Sequence, residues 1–183
     1  MPNFRRIHAP GGTYFFTVVT NERLPIFSTE STIITFLNII EKNQNEYPFE
    51  QIAYCILPDH IHCIWKLPDG DDDYSMRWQL IKARFSRKFL QRSDLEGKIS
   101  ESRKRKRERG IWQRRFWEHT IRDDNDLAMH INYIHFNPIK HVLVKKLSDW
   151  RWSSYNDYLN AGYYAESWGE IEPKGIGNLG LLE

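Results

Sequence analysis

Apolar and polar positions along this chain recur in two periods, and the switches between them mark the elements. From Thr13 to Thr20 nearly every residue is β-branched or aromatic, after a Gly11-Gly12 break, as in a strand buried on at least one face. Ile33, Phe36, Leu37 and Ile40 then recur at helical spacing, with Ser28 or Thr29 as a cap and Tyr47-Pro48 as the end. Gln51 to Leu57 and His60 to Leu67 are two more strand-like runs. They flank Pro58-Asp59, where Pro fixes φ and Asp can bond its own backbone, so the pair reads as a hairpin. Past the acidic turn Asp69 to Asp73 a second helix is predicted from Ser75 to about Arg92. It places Ile81, Phe85 and Phe89 inward and Arg77, Arg84, Arg87, Lys88 and Arg92 outward. Ile111 to Thr120 reads as a fourth strand.

The order βαββαβ predicts an α+β, ferredoxin-like fold: an antiparallel sheet with two helices on one face and its other face free. A third, C-terminal helix is predicted to start at Asp123 as N-cap, with Asp124 and Asp126 in the first turn, where negative charge suits the helix dipole. Leu127, Ile131 and Ile134 form its apolar stripe and Pro138 is expected to stop it. His130, Tyr133 and Asn137 fall within about 100° of one another on its wheel. The length of 183 residues suits one domain, taken as 1–158 with a basic loop at about 94–110, followed by a tail over 159–183 rich in Gly and acids. The tail carries no functional signal.

No apolar run approaches the roughly 18 to 20 residues of a membrane span, and the N-terminus lacks an apolar signal core. The chain therefore reads as cytoplasmic, with no membrane partner. The net charge is only +2, but it is unevenly spread. Between Arg77 and Arg122, 16 Lys and Arg stand against five acids, and the remainder of the chain is acidic. A polyanion would be drawn to that middle stretch. Its densest part, Arg103, Lys104, Arg105, Lys106 and Arg107, has no apolar positions and reads as a solvated loop that could follow a phosphate backbone.

His60-Ile61-His62 carries the most specific chemistry. Two histidines separated by one apolar residue in a strand leave the same face with Cα atoms about 7 Å apart, a spacing that suits one shared metal ion. Cys55 and Cys63 lie on the same hairpin, but His62 and Cys63 point to opposite faces, which favours two buried free thiols over a Cys/His zinc site.

Five strings in order resemble the REP-associated tyrosine transposases, within the single-tyrosine HUH (His-hydrophobic-His) transposases. They are Pro10 to Thr17, Leu57 to His62, Trp112 to Glu118, Tyr133 to Lys140 and Asp149 to Tyr155, and the resemblance runs from about Phe4 to Tyr158. It implies that His60 and His62 are metal ligands for Mg²⁺ or Mn²⁺ and that Tyr133 is the nucleophile. Asn137 takes the place of the third ligand, which is Gln in the broader group. It also implies single-stranded DNA carrying palindromic hairpins as the partner, no organic cofactor, and a monomer, with a dimer as the alternative. Arg103, Lys104, Arg105, Lys106, Arg107, Arg114 and Arg115 are the expected DNA-contacting residues.

A tyrosine with reference pKa near 10 is about 0.1% ionised at neutral pH, so presenting a phenolate costs roughly 4 kcal/mol, and a cation is expected to share that work. His130 and His135 flank Tyr133 and read either as proton carriers or as structural histidines. Trp150, Trp152 and Tyr155 read either as base-stacking rings or as packing. The competing reading of the whole chain is a non-catalytic hairpin-binding module of the same topology, with Tyr14, Phe16 and Trp65 stacking bases from the sheet.

Overall fold

A computed structural model describes residues 9–91, 109–177 and 179. The basic run 103–107 lies outside them. The sheet is built from β1 (Thr13–Val19), β2 (Glu50–Ile56), β3 (His60–Lys66) and β4 (Trp117–Thr120), all antiparallel, in the order β2-β3-β1-β4. The helices are α1 (Glu30–Glu46), α2 (Tyr74–Leu90), α3 (Asp124–Lys140) and the short α4 (Tyr155–Asn160). This is the expected α+β order with the extra C-terminal helix in place.

Alternation along the strands divides the interior into two cores. Tyr14, Phe16, Val18, Ile61, Cys63 and Trp65 point to one side and pack with Phe36, Ile40, Trp78, Ile81 and Phe85 of α1 and α2. Trp65 and Trp78 stack there with centroids 4.3 Å apart, an aromatic pair of the kind that adds about 1 kcal/mol beyond its buried area. Phe15, Ala53, Cys55 and Ile64 point to the other side. That face is not free as the sequence suggests: it is covered by Tyr133, Ile134 and Phe136 of α3 and by Ile176. A face with four buried apolar positions needs a cover, and α3 supplies it.

Three other expectations are corrected. The fourth strand is only Trp117–Thr120. Ile111 and Trp112 instead turn into the α1/α2 core, and Gln113-Arg114-Arg115 is a fully polar, exposed break in the alternation. Arg77 is inward, 2% exposed, because its guanidinium bonds the Asp71 carboxylate and the carbonyls of Tyr47, Pro48 and Asp73. Pro138 does not stop α3, which runs on to Lys140. The proline removes one N–H near the end of the helix, and His141 N still donates to the Asn137 carbonyl at 2.9 Å.

The Trp150 to Tyr158 segment runs along the open edge of β2. Ile56 N donates to the Trp152 carbonyl, Ser154 N to the Tyr54 carbonyl, and the Tyr158 hydroxyl to the Ile52 carbonyl. These bonds blunt a sheet edge that would otherwise be open to pairing. Of the three candidate stacking rings, Tyr155 is buried and the Trp150 indole N–H donates to the Ile56 carbonyl.

Candidate active site

The site lies between β3 and α3. Because Ile61 and Cys63 belong to the α1/α2 core, His60 and His62 must face α3, where they are 1% and 0% exposed. Their ring centroids are 4.8 Å apart and nearly perpendicular. Each ring is held at Nδ1: His60 by Asp59 Oδ1 at 2.6 Å, His62 by Thr17 Oγ1 at 3.0 Å. That directs Nε2 of each ring away from its support, the arrangement by which an outer layer of hydrogen bonds orients metal-binding histidines. Burial opposes ionisation of Asp59, but hydrogen bonds from His60 and Arg23 outweigh it and hold the carboxyl at about 2. Cys55 pairs in register with His62, so it shares the histidines' side. Burial pushes its thiol well up, as it does for Cys63, and both remain free thiols.

Helix α3 supplies the rest. Asp123 caps it, accepting from Asp126 N at 2.8 Å as the sequence predicts. Tyr133, 1% exposed, brings its ring to 5.2 Å from His62, and His141 at the C-cap brings its ring to 5.1 Å from His60. Asn137 lies one turn from each, between them on the same side of α3. Its Nδ2 donates to the Tyr133 carbonyl at 2.7 Å, which sends Oδ1 the other way. His60 Nε2 and Asn137 Oδ1 are both buried and make no hydrogen bond to the described protein. Core groups such as Asn43 and the Trp65 indole share that state, so what sets His60 Nε2 apart is its place on a ring that Asp59 orients from the Nδ1 side. A divalent cation fits this set of imidazole nitrogen and amide oxygen, placed near the negative, C-terminal end of the α3 dipole.

The expected residues His60, His62 and Tyr133 are thus brought together from two elements far apart in the chain, and Asn137 lies on α3 one turn beyond Tyr133. Arg114 and Arg115 are exposed just before β4. Four neighbours were not singled out from the sequence. Thr17 is a polar interruption in an apolar strand and Asp59 directly precedes the histidine pair. Lys140 is two helical turns beyond Tyr133, and its Nζ lies 3.4 Å from the Tyr133 hydroxyl; His141 is one turn beyond Asn137.

The flanking histidines have structural partners. His135 is bonded by the Tyr164 hydroxyl and Ser154 Oγ, both at 2.8 Å, and burial depresses it to about 3. His130 belongs to a second cluster with Asp126 and with His119 of β4, whose ligand-type atoms lie within 4.8 Å of one another. There His119 Nε2 and Asp126 Oδ2 are 2.8 Å apart, Arg122 also bonds Asp126, and His130 Nδ1 bonds the Asp126 carbonyl. Burial opposes ionisation of Asp126, yet the bonds from His119 and Arg122 hold it at about 2.

The chain matches the family described as "Transposase IS200 like" over residues 10–137. It is 44% identical over 169 residues to a putative REP-associated tyrosine transposase of Haemophilus influenzae, spanning 92% of this chain and 94% of that protein. With the REP-associated tyrosine transposase of Escherichia coli it shares 38% identity over 169 residues, spanning 92% and 91%. A solved structure of a REP-associated tyrosine transposase bound to a REP hairpin superposes with a TM-score of 0.75 at 37% identity, covering 95% of this chain and 94% of that one. On these likenesses, and with one tyrosine facing a His-Ile-His pair, the chain belongs to the REP-associated tyrosine transposases and is a single-tyrosine DNA transposase.

Proposed function

We propose that this protein is a metal-dependent single-stranded DNA transesterase that binds repeat-derived hairpins, then cuts and rejoins the strand beside them through a 5′-phosphotyrosine. The observation that carries this reading is the Tyr133 ring 5.2 Å from that of His62, which with His60 forms a pair of crossed rings supported at Nδ1. His60, His62 and Asn137 would hold Mg²⁺ or Mn²⁺, hard ions that water and phosphate oxygens complete readily. When bound, such an ion polarises the scissile phosphate and offsets the charge that develops on it.

Tyr133 Oη forms the new bond to phosphorus and the P–O3′ bond breaks. The phenol proton passes to solvent and the departing 3′ oxygen takes one up. A phosphodiester is exchanged for a phosphodiester, so the adduct keeps the bond energy that lets a 3′-OH reverse the step. Hairpin DNA as partner is supported by the REP hairpin in the related structure. A monomer is supported by the fact that one chain supplies both the histidines and the tyrosine. Arg114, Arg115 and the run 103–107 are assigned to the DNA backbone on charge. The non-catalytic reading loses its stacking rings, because Tyr14, Phe16 and Trp65 are all 0% exposed beneath the helices.

The test is incubation of the protein with Mn²⁺ and an end-labelled single strand carrying a REP hairpin. A protein–DNA species that survives denaturation and maps to Tyr133 is expected. Tyr133→Phe should keep fold and hairpin binding while the species disappears, because only one oxygen is removed. An adduct that persists in Tyr133→Phe overturns the assignment.

A further inference from the structure

Lys140 closes the last turn of α3, seven residues after Tyr133. Seven residues are nearly two turns, so the two side chains stand on one helix face, and the continuation of the helix through Pro138 keeps them aligned. The Lys140 ammonium is 4.9 Å from the centre of the Tyr133 ring and 3.4 Å from its hydroxyl. Both distances fit a cation held against an aromatic ring and its oxygen. Lys140 is itself exposed, whereas Tyr133 is buried. A phosphate that reaches the hydroxyl therefore meets this ammonium as it arrives. The metal ligands lie around His60 and His62, and Lys140 places a second positive charge on the side of the nucleophile.

We infer that Lys140 is a further catalytic residue, whose ammonium binds the non-bridging oxygens of the phosphate that Tyr133 attacks. The inference rests on Tyr133 being the nucleophile. As Oη bonds to phosphorus and P–O3′ lengthens, negative charge accumulates on those oxygens beyond the single charge of the diester at either end of the step. A fixed cation at the attacking oxygen favours that charge build-up more than it favours the bound substrate, so it acts on rate rather than on affinity. The reverse step passes through the same arrangement, so rejoining needs Lys140 equally.

The experiment compares Lys140→Met, which keeps length and apolar stem, with Lys140→Arg, which keeps charge. Each is assayed with Mn²⁺ and the hairpin-bearing single strand in single-turnover cleavage, in rejoining and in gel-shift binding. Loss of one preorganised stabiliser of developing charge costs about 10² to 10³-fold in rate. Lys140→Met should therefore slow cleavage and rejoining together by about that factor with Kd nearly unchanged, and Lys140→Arg should recover most of the rate. Cleavage at the wild-type rate in Lys140→Met, or a loss that appears wholly in Kd, overturns the inference. If Tyr133→Phe has removed the adduct in the same assay, that failure leaves the nucleophile assignment standing. An adduct that survives Tyr133→Phe ends both.

Discussion

Two histidine clusters lie between the same side of the sheet and α3, and they differ in how their rings are set and in what holds their carboxylates. His60 and His62 are each held at Nδ1 by a supporting group from the sheet side, Asp59 and Thr17. At His119, Asp126 and His130 the groups bond one another, and Arg122 balances the carboxylate. The rings differ as well. His60 and His62 are nearly perpendicular, whereas His119 and His130 stack at 4.7 Å with planes 14° apart. A metal ion lies in the plane of each imidazole that binds it, and two parallel stacked rings do not share a plane. The second cluster also has the residue types of a metal site, and its His130 Nε2 is likewise buried with no hydrogen bond to the described residues; its carboxylate, however, is already bonded to His119 and Arg122 and its rings are stacked, so its groups tie β4 to the start of α3. Ligand types close in space are thus a weaker sign of a metal than rings set across one another, each supported at Nδ1.

The largest effect expected from this contrast is on chemistry. His62→Ala should cut Mn²⁺-dependent cleavage by about 10³-fold, because a metal supplies several kcal/mol of charge stabilisation and each 1.4 kcal/mol or so is a decade of rate. His119→Ala should leave the Mn²⁺ requirement unchanged. Equal losses in the two variants, measured in one cleavage assay with a metal titration, would erase the distinction between the clusters.

A smaller effect should follow from the support of the first cluster. Thr17→Val removes the hydroxyl that holds His62 Nδ1 but keeps the shape of the strand residue. Outer-layer partners of metal-bound histidines are worth about 10 to 100-fold in metal affinity or activity. The Mn²⁺ concentration for half-maximal cleavage should rise within that range, with hairpin binding intact.

The smallest effect separates the clusters by stability. Asp126→Asn should cost about 2 kcal/mol at neutral pH, as expected for hydrogen bonds to a charged group, and leave the metal titration unmoved. Asp126 titrates at about 2, below the ordinary carboxylate value of about 3.9. Its contribution is therefore complete above about pH 4 and lost as pH falls toward 2, so the variant and the wild type should converge in acid. His130 and His135 also sit below the ordinary histidine value, chiefly through burial. Their contribution is complete above about pH 6.5 and declines below it, for His135 down to about 3. Urea unfolding from pH 7 to 3 should show wild-type stability falling from about 6.5 downward. A flat profile between 6.5 and 4 would mean that neither ring is held neutral by the fold.

Local pattern determined much of this protein. The strand and helix order, the N-cap at Asp123, the facing of His60 with His62, and the alignment of Tyr133 with Asn137 all depend on periods of two and 3.6 that residues carry by themselves. The shared side and closeness of the two histidines were equally legible, since spacing along a strand sets them wherever that strand lies. Tertiary structure alone decided what met across the chain. Arg77 turns inward because Asp71 and three carbonyls await it, and the sheet's second face is closed because α3 folds back over Phe15 and Ile64. Thr17 becomes the support of His62 only through the register of β1 on β3. How the rings of each histidine cluster are set and supported is a property of that docking, because hydrogen-bond partners and ring angles depend on neighbours that no local pattern names.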